Sequence, residues 1–312
     1  MEKAAEIIAK DCMNIKENES VLIITDSEKR LIGDALFNAA KKLTSKVSFK
    51  EIPIAKNHGQ EPPEECAEDM LNYDVILMAT TMSLSHTKAR INASERGARI
   101  ASMPSITEDI LKRCININYN DLKQTHDKLR EKLLNAQKIR ITTELGTDVT
   151  TSLSVTHGHI AGLLHNKGDF GNLPTGEVDS GVKQGATNGI IVIDASFAGL
   201  GKLDSPLILE VKDGYVISIE GNDAEKLNQL LQQHGEKAYK IAEFGIGTNP
   251  AATITGITLE DEKVLGTVHF ALGNDLHYNG NNNIPIHVDG VITKPTIYID
   301  DEKIMDNGLL LI

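Results

Sequence analysis

Apolar and polar positions along this chain follow two different periods, and the change falls near residue 136. Up to that point helix-like and strand-like stretches take turns. Residues 20–25 (SVLIIT) and 73–80 (YDVILMAT) are short, nearly unbroken apolar runs of the kind that forms strands covered on both faces. Residues 46–52 alternate like a strand, and 99–103 read as a short one. Between them, residues 4–13, 29–43 and 87–96 carry the amphipathic helical period, and Thr107 is placed to cap a helix running through Leu111. Strands alternating with helices predict parallel pairing in an open, doubly wound sheet. Residues 119–137 form a long charged helix leading into the next domain.

Beyond it the pattern becomes one of strands and turns. Residues 139–143, 148–155, 189–193, 207–211, 214–220, 264–271, 284–291 and 295–299 read as strands, with turn signals such as KDG at 212–214 and GND at 221–223. A helix over 224–234, capped by Asp223, interrupts them. The fold class expected is α/β, with an N-terminal open parallel-sheet domain (1–136) followed by a mainly antiparallel α+β metal-binding domain (137–312).

Composition narrows the function. With 40% hydrophobic and 24% charged residues over 312 positions, the chain is ordinary globular protein, long enough for two domains. Its formal charge of −12, with Lys and Arg scattered, excludes a nucleic-acid surface. No apolar stretch is long enough to cross a bilayer, and the mixed-charge N-terminus is unlike a signal peptide. Cys12, Cys66 and Cys114 are odd in number, far apart and outside any CxxC pair, as expected of a cytoplasmic protein in a reducing compartment.

The candidate chemistry lies in the second domain, which holds seven of the ten histidines. In IPIHVDG (284–290), His287 and Asp289 are two apart on a strand and project from one face. GTVHFALG (266–273) sets His269 inside an apolar strand, where it is either a core histidine bonded to a carbonyl or a ligand. Two imidazoles and one carboxylate match the facial triad of non-haem iron. Glu177 in GNLPTGE (171–177) and Glu243 in AEFGIGTNP (242–250) are acids flanked by small, turn-forming residues, not by other charges. Three carboxylates with two imidazoles suit paired Zn, Mn or Co ions that activate a shared water.

These four motifs, in this order, resemble the thermophilic metalloaminopeptidase family of aminopeptidases T and S. The resemblance covers residues 140–300 well and the first domain more loosely. It implies a dimeric exopeptidase holding two divalent ions on Glu177, Glu243, His269, His287 and Asp289, with Glu177 and Glu243 in the catalytic machinery. A tyrosine ligand follows the first histidine in that family. Tyr278 in LHYNG (276–280) is the nearest match here, with His277 as the substitute. The chain looks short for a full member, so the part that shapes the substrate pocket is expected to differ. A related branch of the same fold, 2,5-dihydroxypyridine dioxygenase, is a mononuclear Fe(II) enzyme using two histidines and an aspartate, and His269, His287 and Asp289 would serve it equally. The leading expectation is thus a hydrolase removing N-terminal residues from peptides, the alternative a ring-cleaving dioxygenase, and a third a non-catalytic relative. Lesser candidates are His157 and His159 in THGH (156–159), Asp179 and Lys183 after Glu177, and Asp26 at the end of the first buried strand.

Overall fold

A computed structural model describes residues 1–156 and 161–312, with Val155 and Thr156 by their backbone alone. His157 and His159 lie outside the described residues. In chain order the strands are β1 Val21–Thr25, β2 Val47–Glu51, β3 Val75–Ala79, β4 Arg99–Ser102, β5 Ile139–Thr142, β6 Asp148–Thr151, β7 Leu153–Thr156, β8 Phe170–Asn172, β9 Glu177–Val182, β10 Asn188–Ile193, β11 Ser196–Phe197, β12 Gly201–Lys202, β13 Leu207–Lys212, β14 Tyr215–Glu220, β15 Ile241–Gly247, β16 Thr267–Gly273, β17 His287–Thr293, β18 Thr296–Ile299, β19 Glu302–Asp306 and β20 Leu309–Leu310. The α-helices are α1 Glu2–Ile7, α2 Arg30–Lys41, α3 Glu64–Met70, α4 Lys88–Glu95, α5 Glu108–Cys114, α6 Tyr119–Asn135, α7 Ala224–Gln232 and α8 Thr258–Asp261.

The fold is mixed α/β, with one parallel sheet and two antiparallel ones. The chain forms two compact units, one of Met1–Tyr119 with Ile160–Thr175 and the other of Asn120–His159 with Gly176–Ile312. The boundary expected at 136/137 falls inside the second of these.

In the first unit the sheet runs β2-β1-β3-β4-β8, every pair parallel. β1 and β3 are buried at all positions, which is why their sequences are unbroken apolar runs. α2 buries Ile32, Leu36, Ala39 and Ala40 at three- and four-residue spacing. The Thr87 and Thr107 hydroxyls cap α4 and α5 by accepting from Arg90 and Ile110 N–H. β8 is a difference from expectation: three residues in a glycine-rich segment return to pair with β4 as a fifth parallel strand. So short a strand carries no period for a sequence to show.

In the second unit one sheet runs β14-β13-β10-β6-β5-β18-β19-β20 and the other β12-β11-β17-β16-β15-β9-β7, with antiparallel pairing throughout the latter. One apolar core takes Ile139, Ile141, Ile191 and Leu209 from the first sheet, and Val178, Phe244, Phe270 and Ile292 from the second. Leu129 and Leu133 of α6 and Leu227 and Leu231 of α7 join it. Among the described residues no helix is long and apolar enough to cross a membrane.

Phe244 and Phe270 face each other across β15 and β16 with ring centroids 5.3 Å apart, and both are buried. Phe244→Ala is expected to cost about 3–5 kcal/mol. A denaturant titration showing less than about 1 kcal/mol would mean that this core is not closely packed.

Candidate metal centre

The register of β9, β15, β16 and β17 decides which side chains meet. Glu177 pairs with Gly247, Asp179 with Gly245, and Gly181 with Glu243. Gly245 pairs with His269, and Glu243 with Ala271. Ala271 then pairs with Asp289, and Gly273 with His287. Directly paired residues share a face, so Glu177, Asp179, Glu243, His269, His287 and Asp289 all project from one side of the sheet. Val178, Phe244, Ile246, Val268, Phe270, Leu272, Val288 and Ile292 project from the other, into the core. β9 and β15, whose acids are flanked by turn-forming residues and which are not among the strands expected from the sequence, are therefore interior strands. Their glycines occupy site-facing positions, and Gly245 shows why: a Cβ there would lie 2.2 Å from His269 Cε1 and Nε2.

The donors converge. Ligand atoms of Glu243, His287 and Asp289 lie within 4.8 Å of one another. His287 Nε2 is 2.9 Å from Glu243 Oε2 and 3.7 Å from Asp289 Oδ1. His269 Nε2 is 3.2 Å from the other Glu243 oxygen and 3.7 Å from Glu177 Oε2. His287 Nδ1 donates to the Asn274 carbonyl at 2.8 Å, which fixes the ring and leaves Nε2 for the cluster. His269 Nδ1 is buried and finds no hydrogen-bond partner among the described residues. Imidazole nitrogen and carboxylate oxygen converging from rigid strands, with one ring held from behind, suit a divalent ion, and this is a candidate metal site.

A further layer went unread in the sequence. Lys263, only 1% exposed, donates to Glu177 Oε1 at 2.9 Å and to the Glu262 carboxylate. The run LEDEKV (259–264) looks like a solvated helix end, yet Glu260 and Asp261 are fully buried. They accept from Thr253, Thr255 and Gly256 in the loop before them. That loop's threonines and glycine ahead of an acidic run were the available signal.

Tyr278 reaches the same face, where its hydroxyl donates to Asp179 Oδ2 at 2.5 Å. Gly181 makes room for it, since a Cβ there would lie 2.4 Å from Tyr278 Cβ. His277 is exposed and stacks edge-on against the Tyr278 ring at 5.1 Å. Lys183 is exposed in the turn after β9. Asp26 accepts from the backbone and hydroxyl of Thr81 and from Glu28 N–H, so it ties the end of β1 to the loop after β3.

Burial opposes charge throughout; pairing outweighs it at Glu243, both imidazoles and Lys263, while burial prevails at Glu262 and Asp289. Burial pushes the Glu243 carboxyl up, but hydrogen bonds from His269 and His287 hold it well below the usual carboxylate range. Burial lowers both imidazoles, yet the carboxylates outweigh it: Glu243 first, then Glu177 for His269 and Asp289 for His287, raising each to about 10. Burial raises Glu262 to about 8. Burial also opposes the charge on Lys263, which Glu177 and Glu262 nevertheless keep above its ordinary value.

Comparison with known proteins places this site in context. The family model described as NicX, 2,5-dihydroxypyridine 5,6-dioxygenase, matches residues 9–312. The chain is 23% identical to the 2,5-dihydroxypyridine 5,6-dioxygenase of Pseudomonas putida, over 94% of this chain and 91% of that one. The solved structure of the Pseudomonas putida 2,5-dihydroxypyridine dioxygenase superposes with a TM-score of 0.82 at 19% identity, covering 99% of this chain and 96% of that one. AmpT from Thermus thermophilus superposes with a TM-score of 0.73 at 14% identity, covering 100% and 98%. Likeness at these identities shows a shared fold, and AmpT has the mixed α/β architecture found here. The expectation of a peptide-cleaving hydrolase is overturned by the family match and by the curated relative, both of them dioxygenases.

Two outcomes follow from the geometry. A metal ion must displace protons from the cluster. Affinity of the metal-stripped chain for Mn(II) should therefore rise with pH between about 6 and 8, by about tenfold per pH unit for each proton released. The metal-free fold behaves oppositely at high pH: its imidazolium contacts stabilise fully below the ordinary value of 6.5 and are lost as pH rises through about 10. A calorimetric affinity that is flat with pH would contradict the proton displacement. Gly245→Ala, which drives a methyl into the His269 ring, should keep the circular dichroism spectrum and weaken Mn(II) binding by about 10–100-fold. Unchanged affinity would show that His269 lies outside the metal's reach.

Proposed function

The chain belongs to the 2,5-dihydroxypyridine 5,6-dioxygenase family, and on that premise we propose that it is a metal-dependent dioxygenase opening a dihydroxylated nitrogen-containing aromatic ring. The observation that carries this reading is the convergence of Glu243, His287 and Asp289 within 4.8 Å on one face of a buried sheet. Glu243, His287 and Asp289 would hold the ion, with His269 steadying Glu243 through its second oxygen. His287 and Asp289 are shared with the triad expected from the sequence, whose third member, His269, stands beside Glu243 in the same cluster. A bound ferrous ion would supply the electron transfer that lets dioxygen react with an electron-rich ring.

The chain's own residues set the conditions for that chemistry. The Asn274 carbonyl orients His287. Its side chain is 27% exposed against 0% for His269, so substrate would approach from the His287 side. Tyr278 and Asp179 hold a proton between phenol and carboxylate, beside Glu243, where a ring hydroxyl would exchange it. The surrounding acids repel a carboxylated ring and leave a neutral dihydroxy heteroaromatic unopposed.

Anaerobically purified protein loaded with Fe(II) should consume oxygen on addition of 2,5-dihydroxypyridine, with loss of the ring's ultraviolet absorbance. Glu243→Ala, His287→Ala and Asp289→Ala should each lose both the ion and the oxygen uptake. His269→Ala should retain the ion at reduced affinity. Loaded protein that takes up no oxygen with any dihydroxypyridine would refute the proposed reaction.

A further inference from the structure

Glu177 sits on the site face with the metal donors, yet its nearest charged partner is a lysine. Lys263 Nζ lies 2.9 Å from Glu177 Oε1 and also engages Glu262. Its side chain is 1% exposed, so the ammonium has exchanged water for these carboxylates. The other Glu177 oxygen is 3.7 Å from His269 Nε2. A divalent ion ligated by Glu177 would need this carboxylate to leave the ammonium, or the ammonium to bear a dication beside it in a low-dielectric interior. Either is costly. Glu243 and Asp289 remain, and their two negative charges are matched by one dication.

We propose that Lys263 is a built-in cation standing in for a second metal ion. It holds Glu177 out of the coordination sphere and limits this centre to one ion per chain. Lys263 is thus a positioning residue: it touches Glu177 and Glu262 and acts on the centre through them. The proposal rests on reading Glu243, His287 and Asp289 as a metal site, and it accounts for a carboxylate that the sequence assigns to a pair of ions.

The test counts ions without using catalysis. The metal-stripped full-length chain is dialysed against Mn(II), and bound manganese per chain is measured by elemental analysis. Wild-type protein should saturate at one ion. Glu177→Gln should also hold one, with affinity falling by less than about tenfold, the lower end of what removing an outer partner costs. Lys263→Met, which frees Glu177, should take up a second, weaker ion, and Lys263→Met/Glu177→Gln should return to one. Two ions in the wild type, loss of the ion in Glu177→Gln, or a folded Lys263→Met that still stops at one would each overturn the proposal. Should Lys263→Met fail to fold, the wild-type count and Glu177→Gln decide it. The proposed reaction fails separately: one bound ion with no oxygen uptake removes the dioxygenase and leaves the role of Lys263 standing, whereas no bound ion at all overturns the metal reading beneath both.

Discussion

The second unit depends on keeping a set of charges buried on one face of a β-sheet. Glu177, Glu243 and Asp289 share that face with two imidazoles, and Glu262 and Lys263 close in from the segment before β16. Unpaired, such groups would lose more in desolvation than a single domain's stability can offset. They are therefore set against opposite charges: Glu243 bridges His269 and His287, Asp289 lies 3.7 Å from His287 Nε2, and Lys263 bridges Glu177 and Glu262. The arrangement is tolerable because the opposite face of the same strands supplies the apolar core.

Rigidity follows from the same strands. Four neighbouring strands present the charged residues, so their spacing is set by the sheet and not by loops. Small residues let large ones converge. Gly245 yields its side-chain volume to the His269 ring and Gly181 to Tyr278. Behind His287, the loop that offers the Asn274 carbonyl is fastened by a buried Lys240–Asp275 pair, with Asp275 also accepting from Asn282 N–H. A polar site on a sheet thus needs glycine where a core would need valine.

Shared fold and shared reaction separate clearly in this molecule. Its architecture is common to AmpT and to a 2,5-dihydroxypyridine dioxygenase, although the identities are only 14% and 19%. Carboxylates and imidazoles can serve oxygen chemistry or water activation, and a shared scaffold does not fix which reaction they assist. The motifs around Glu177, Glu243, His269 and His287 identified the scaffold and were silent on the chemistry. The family match over residues 9–312, together with the curated relative, distinguished the two branches.

Local patterning made four of the five parallel strands and α1, α2, α4 and α5 legible, though not β8 or α3, because β1 and β3 are covered on both faces and α2 carries a strong amphipathic stripe. It also exposed His287 and Asp289 as a pair, since a spacing of two on a strand means one face. It did not show β9 and β15 as strands, because glycine signals a turn locally and a close approach only in three dimensions. It passed over Lys263 altogether, since a lysine beside Glu260, Asp261 and Glu262 looks solvated until the loop at 253–256 folds over the acids. Which carboxylate meets an imidazole and which meets the ammonium is a matter of cross-strand register. Register is set by pairing between segments tens of residues apart, and no window of the chain contains it.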